Sequence, residues 1–591
     1  MKINQILLNF LIWRIKHLKT HNFTMILSAI IGGLAGLAAV ILKETVHAIQ
    51  HYLLRGNHVD INTYLIYFYP MIGIFITVII TRYYWKEKLG HGVTDILFAI
   101  SQKSGIIMRG KMYSRMITSA ITIGFGGSAG LEAPIVVTGS AIGSNVARLM
   151  HLDYKNRTIL IGCGAAGAIA GIFNSPVTGV IFSSEVILAG LGFASFIPLL
   201  IAAVCGSLVS LMLLGDDVLF SFVLKDPFIA SDTPYYILLG ILCGLISVYF
   251  TRMMYHIDAK ITKIKNYAIR GLIGGLLLAM IIFLFPPIYG EGYDTIKLLL
   301  EGKEAAMSFQ SFFALDYSNP LVFILFFVGI IFLKPIASAL TIESGGSGGI
   351  FAPSLFLGGV VGFFFAFSFN HISPTEISLS NFTLVGMCGV MSGVLHAPLT
   401  AIFLIAEITG GYTLFVPLML VSAIAFSTIS YFEKYSIYTK RLIERGEYIP
   451  HDKDKQLLSG MKLKKVIEKD LISVRPDQKL YDLVEVVRKS KRNLFPVVSE
   501  NGTLAGIITL DDIRDIMFEE ASRNEITISS IMSDPPAFIS SKDSMQSVMN
   551  TFEITGAWNL PVIDDGKYIG FVSKSRIFNT YRTKLKKDRA E

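Results

Sequence analysis

Charge is almost absent from residues 23–42, 65–81, 236–250, 272–285 and 321–333. An apolar helix of roughly 20 residues spans a bilayer when upright. Several of these runs are shorter, or are broken by Gly and Pro, so tilted and interrupted spans are predicted alongside full ones. Beyond residue 444 the pattern changes to short apolar runs between Lys, Asp and Glu. There, strands are predicted at Leu494-Phe495-Pro496-Val497-Val498 and Gly506-Ile507-Ile508, and again at Asn559-Leu560-Pro561-Val562-Ile563 and Gly570-Phe571-Val572. Asn501-Gly502 and Asp565-Gly566 between them are hairpin-turn pairs. A polytopic helical membrane domain followed by a soluble α/β tail with two similar units is therefore expected.

Composition sharpens this picture. Of 591 residues, 52% are hydrophobic and only 16% charged, too apolar for an ordinary soluble enzyme. No His-Glu-x-x-His, no Gly-x-Ser-x-Gly and no paired intramembrane aspartates point to catalysis. The formal charge of +8 suits a protein bordered by anionic lipid, and no basic motif supports a nucleic-acid partner. Lys2, Arg14, Lys16 and Lys19 precede the first long run, which argues for a cytoplasmic start. That run is long enough to remain in the membrane rather than be cleaved as a signal. The four cysteines lie in apolar segments without ligand spacing and read as small hydrophobes.

The membrane half repeats itself. Gly171-Ile172-Phe173-Asn174-Ser175-Pro176 with Glu185 matches Gly393-Val394-Leu395-His396-Ala397-Pro398 with Glu407, and the spacing from 171 to 393 equals that from 185 to 407. Upstream, Gly130-Leu131-Glu132-Ala133-Pro134 matches Gly349-Ile350-Phe351-Ala352-Pro353, with Gly139 and Gly143 answering Gly358 and Gly362. Duplicated halves with glycine-rich broken segments mark transporters whose site lies at the repeat interface. The plainer reading is that these glycines only let helices pack closely. It explains scattered glycines, not a Gly-x-x-x-Pro signature recurring with its downstream glycines.

Each Gly-x-x-x-Pro follows glycine-rich chain, Gly124 to Ala129 in one half and Gly345 to Gly348 in the other. Proline near a helix start removes an amide that would be unpaired anyway. What remains is a helix N-terminus with free N–H groups at membrane depth, an anion site made of backbone. Glu132 is the odd residue there. A carboxylate inside a membrane segment is a functional candidate; ionised, it can occupy the anion site, and protonated it can leave. The alternative is that it caps its own helix.

These residues resemble the CLC family of chloride channels and proton-coupled chloride transporters. The gating-glutamate motif is Gly130-Leu131-Glu132-Ala133-Pro134, with Leu131 where many members carry Arg. The resemblance implies that Glu132 gates the path, that Gly130, Gly349, Ile350 and Phe351 supply anion-binding backbone, and that the Tyr438 hydroxyl closes the inner side. The motif usually reading Gly-Ser-Gly-Ile-Pro is Gly90-His91-Gly92-Val93-Thr94 here. His91 either donates to the anion or titrates, or turns aside and leaves the backbone to serve. Proton-coupled members often carry two acids where this chain has Glu185 and Val186. Glu185 is thus either an internal proton site or a structural acid.

The tail resembles a tandem pair of CBS modules. The resemblance implies an adenine-nucleotide cleft at Thr509 and Asp512, and a second with Ser573 and with Arg576 replacing the usual acid; a ligand-free platform is the alternative. The expected fold is a polytopic all-α membrane protein with two inverted-topology repeats and broken helices, the CLC fold, ending in the α/β CBS pair. Its expected parts are a cytoplasmic helix over 1–22, a transport domain over 23–446, a linker over 447–460, and modules over 461–520 and 526–583. Chloride or a similar anion is the expected substrate, with protons as counter-substrate, no required cofactor, and a homodimer in a bacterial inner membrane with its CBS pair cytoplasmic. A passive chloride channel, a fluoride-selective relative and a membrane-anchored nucleotide sensor are the competing readings.

Overall fold

The computed structural model describes residues 2–55, 65–85, 92–189, 196–215, 226–302, 320–444, 447, 461 and 463–590. They form two compact units, residues 1–448 and 449–591. The first is helical. Its early part runs through α1 (Lys2–His17), α2 (Thr20–Arg55), α3 (Tyr69–Ile79), α4 (Val93–Gln102), α5 (Ser114–Gly124), α6 (Glu132–Leu149), α7 (Tyr154–Phe173), α8 (Pro176–Phe182) and α9 (Phe196–Leu214). Its later part runs through α10 (Thr233–Ile261), α11 (Tyr267–Leu284), α12 (Tyr293–Glu301), α13 (Pro320–Glu343), α14 (Phe351–Ile372), α15 (Leu379–Leu395), α16 (Pro398–Ile408), α17 (Phe415–Phe432) and α18 (Lys440–Glu444). Among the described residues, nine helices are long and apolar enough to cross a membrane. Shorter apolar helices, α8, α15 and α16 among them, lie between these.

The duplication read from the sequence is a duplication of contacts. Helix α6 packs on α7 as α14 packs on α15. At both seams the small residues sit against backbone: a Cβ on Gly143 would fall 2.0 Å from the Leu160 carbonyl oxygen, and one on Gly362 would fall 2.0 Å from that of Phe382. Close packing and repetition are thus one design, because the same two-glycine seam recurs. Helices α7 and α15 also start and stop alike. Asp153 accepts from the Asn156 amide and Ser378 from the Asn381 amide. At the far ends Asn174 and His396 turn left-handed, with φ of 53° and 54°. Pro176 and Pro398 then open new helices within the apolar region.

In the second unit β1 (Leu494–Val498) pairs antiparallel with β2 (Leu504–Thr509), and β3 (Asn559–Asp564) with β4 (Lys567–Ser573). Each hairpin has its irregularity at the matching place, Val497/Val498 and Val562/Ile563. The turns differ. Asp565 and Gly566 both have positive φ, as a two-residue primed turn requires, whereas in the first hairpin Gly502 alone does. The two modules exchange core residues. Leu463 and Val466 bury into the core built by Val548, Phe552 and Val572, while Ile528 buries with Leu483, Phe495 and Ile508. Each core is completed by a segment preceding the other hairpin.

Candidate functional site

Two helix starts meet at the centre of the first unit. Gly130 donates its amide to the Gly349 carbonyl at 2.9 Å, and Gly349 donates to Gly130 at 2.7 Å. This two-residue ladder joins the loops that open α6 and α14. It corrects the expectation that Gly130 and Gly349 offer their amides to an anion, because each amide already has an acceptor. Their contribution is steric. A Cβ on Gly130 would fall 2.0 Å from Glu132 Oε2, and one on Gly349 would fall 2.7 Å from the Ala133 Cβ. The Ile350 and Phe351 amides, at the start of α14, meet no acceptor among the described residues. Phe351 is fixed by stacking on Phe173, with ring centroids 5.3 Å apart.

Glu132 is the first residue of α6 and is 2% exposed. It does not cap its helix through a side-chain bond. Its Oε1 accepts from the Tyr293 hydroxyl at 2.6 Å, while Oε2 is buried without a side-chain donor among the described residues, and the backbone amides of Glu132 and Ala352 face the carboxylate. Next to it, the Leu131 amide donates to Glu291 Oε1 at 3.0 Å. Lys334, fully buried within α13, donates to the Ile288 and Gly290 carbonyls at 3.3 and 3.2 Å and lies 4.5 Å from the centre of the Phe356 ring. Its ammonium and the Glu132 carboxylate are the charges that face Glu291 most directly. Sequence reasoning missed Tyr293, Glu291 and Lys334. A lone lysine inside an apolar helix was a visible signal for the last.

Tyr438 is buried, and its carbonyl accepts from Thr94 Oγ1 at 2.9 Å. Thr94, which stands where the resembling family has proline, therefore ties the start of α4 to the Tyr438 backbone. His91 lies outside the described residues. A cavity of about 50 Å³ opens between Thr94, Ala133, Gly348, Gly349, Ile350 and Tyr438, room for a small ion or a water molecule. It touches the residue after Glu132 on one side and the tyrosine on the other.

Glu185 stands elsewhere. Its Oε1 accepts from the Leu399 amide at 3.2 Å, and its Oε2 accepts from the Thr400 amide at 2.9 Å and the Thr400 hydroxyl at 2.7 Å. Glu407 does the same for the other half, accepting from the amides of Val177 and Thr178 at 3.0 and 2.8 Å and from the Thr178 hydroxyl at 2.6 Å. Helices opened by Pro176 and Pro398 have no side-chain cap from their own Ser175 or Ala397. Each takes a carboxylate from the opposite repeat instead, favoured by the positive helix end. Both oxygens of Glu185 are engaged, which favours the structural-acid reading.

In the second unit, Thr509 and Asp512 close a capping box. Asp512 Oδ2 accepts from the Thr509 amide and hydroxyl, both at 2.7 Å, and its carboxylate stays exposed. Ser573 is buried and donates to Glu468 at 2.6 Å, and Glu468 pairs with Arg492 at 2.6 Å. The Arg576 amide donates to the Ser573 hydroxyl at 3.2 Å, and its guanidinium is close enough to Asp470 for the two charges to attract. Ser573 is thus fastened inward where Thr509 and Asp512 remain open to solvent.

Comparison with known proteins identifies the family and the fold. Residues 72–430 match the voltage gated chloride channel family, and residues 463–519 and 528–582 match the CBS domain. The chain is 26% identical over 551 residues to chloride channel protein CLC-f of Arabidopsis thaliana, covering 81% of this chain and 69% of that one. It is 26% identical over 410 residues to the H(+)/Cl(-) exchange transporter ClcA of Vibrio parahaemolyticus, covering 67% of this chain and 84% of that one. Among solved structures, a slow cyanobacterial Cl-/H+ antiporter aligns with a TM-score of 0.62 at 21% identity, over 73% of this chain and 99% of that one. A eukaryotic CLC transporter aligns at 0.61 and 18% identity, over 94% and 97%. The fold is the CLC fold, with nine apolar helices of spanning length among the described residues marking a multi-pass membrane protein, and the chain belongs to the voltage gated chloride channel family, with two CBS domains behind its membrane domain.

Proposed function

We propose that this protein exchanges chloride, or a similar small anion, for protons across a membrane, with Glu132 as the movable gate. One observation carries the reading: a buried carboxylate, with the Ala352 amide of α14 facing it and one oxygen without a side-chain donor, stands at the start of α6, where the two repeats are laced together by Gly130 and Gly349. An ionised carboxylate and an anion compete for the same positive helix ends. When protonated, Glu132 loses that attraction and yields the place. The Ile350 and Phe351 amides are the backbone donors for the anion, and Tyr438 lines the cavity beside them. Exchange accords with the H(+)/Cl(-) exchange transporter ClcA among the relatives.

The same reading places the N-terminus and the CBS pair in the cytoplasm of a bacterial cell, with two copies of the chain each holding its own path. An adenine nucleotide binds at Thr509 and Asp512, where the helix start and exposed carboxylate suit a phosphate and a ribose. The Ser573 cleft, fastened to Glu468, is the weaker one. A passive channel is the second reading, favoured by the use of both Glu185 oxygens as a helix cap.

Liposomes holding the full-length protein, loaded with chloride and clamped with valinomycin, test it. Uphill proton movement abolished by Glu132→Gln is expected. Chloride flux without proton movement would select the channel, and absence of any anion flux would overturn both.

A further inference from the structure

The cavity beside Ala133 and Tyr438 has an acid in its wall. Glu343, the last residue of α13, lines it together with Gly348, Ile350 and Arg441 and is 4% exposed. Its carboxyl lies within hydrogen-bonding reach of that of Asp258 on α10. A carboxylate is acceptor-only, so a hydrogen bond between two carboxyl groups contains a proton. Cations hold this pair from two further elements. Arg441 of α18 pairs with Asp258, and Arg270 of α11 donates to the Glu343 carbonyl. Tyr255 from α10 and Tyr438 face the same space, Glu444 stands near Tyr255, and Arg82 and Tyr267 back Arg270. Ala133, which follows Glu132, lines the same cavity.

We propose that Glu343, partnered by Asp258, is the acid that exchanges protons between the solution on the Tyr438 side and Glu132. The inference rests on the proton-exchange reading above. The Glu343 carboxyl gives its proton to a water in the cavity, and that water protonates the Glu132 carboxylate. A proton from solution then returns to the Glu343–Asp258 pair, which again holds one. Only O–H bonds break and form, and no other reactant takes part. Glu185 does not compete for the role, because both its oxygens hold the start of α16.

The full-length protein in liposomes decides it, with chloride and proton fluxes read together. Glu343→Gln keeps the size and most hydrogen bonds of the side chain. It is expected to lower the proton-to-chloride ratio at least tenfold while chloride flux continues, and Asp258→Asn is expected to lower it less. An unchanged ratio in Glu343→Gln would overturn the proposal while leaving the gate reading of Glu132 intact. If the wild-type protein carries chloride and no protons, this proposal falls but anion transport stands. If it carries no anion, the transport reading itself falls. Should Glu343→Gln fail to assemble, Glu343→Asp replaces it: a reduced ratio supports the proposal, and an unchanged one overturns it.

Discussion

The Tyr293 hydroxyl donates a 2.6 Å hydrogen bond to Glu132 Oε1. Among the described residues it is the side-chain hydrogen bond that holds this carboxylate, and it comes from a residue 161 positions away in sequence. A hydrogen bond to a charged group contributes about 1.5–3 kcal/mol. Tyr293→Phe should therefore loosen Glu132 and raise chloride efflux from liposomes at neutral pH roughly tenfold or more. The same change in a Glu132→Gln background should have little effect.

Gly130 lends its missing side chain as space for Glu132 Oε2, 2.0 Å from where a Cβ would stand. Gly130→Ala should expel the carboxylate from its seat. Chloride flux in the variant should depend less on external pH than in the wild type, measured by efflux over a pH series, while thermal stability in detergent falls only modestly.

The crossed caps predict paired behaviour. Glu185→Gln and Glu407→Gln each weaken one charged helix cap, at a cost of about 0.5–2 kcal/mol. Both should lower the melting temperature of the detergent-solubilised protein by similar amounts. Neither should change the proton-to-chloride ratio, and a change confined to Glu185→Gln would return that residue to the role of internal proton site.

In the second unit, Arg492 reaches both Glu468 and Asp470, at 2.6 and 2.7 Å. Its hydrogen bond holds the Asp470 carboxyl below the ordinary carboxylate range. A depressed folded-state value means that the stabilisation is present above the unfolded value of about 3.9 and is lost as pH falls further. Arg492→Ala also leaves the buried Glu468 without its cation. The variant should melt several degrees lower near neutral pH, with the gap from wild type closing below about pH 4.

Much of the fold was legible because duplication leaves matched residues. Asn174 and His396, Pro176 and Pro398, Gly143 and Gly362 sit at corresponding breaks and seams, and the sequence spacing exposes them. Glu132 stood out as a carboxylate among apolar residues. The surroundings of Glu132 did not, because Tyr293, Glu291 and Lys334 are brought together only through tertiary packing. The mutual hydrogen bonds of Gly130 and Gly349 were hidden for a different reason. A glycine-rich helix start leaves its amides open to a ligand or to another loop, and spacing alone cannot choose between them. The packing between the modules was hidden as well: Leu463 and Ile528 each precede one hairpin and complete the core of the other.

The crossed glutamates also constrain how this protein changes over generations. Each duplicated half has given the other custody of a helix start, so neither copy is a self-sufficient ancestor any longer. Loss of a threonine at 178 or 400 is felt through a glutamate encoded more than two hundred codons away, and compensation must arise there. Drift in one half is thereby tethered to the other, and the halves are inherited as one unit.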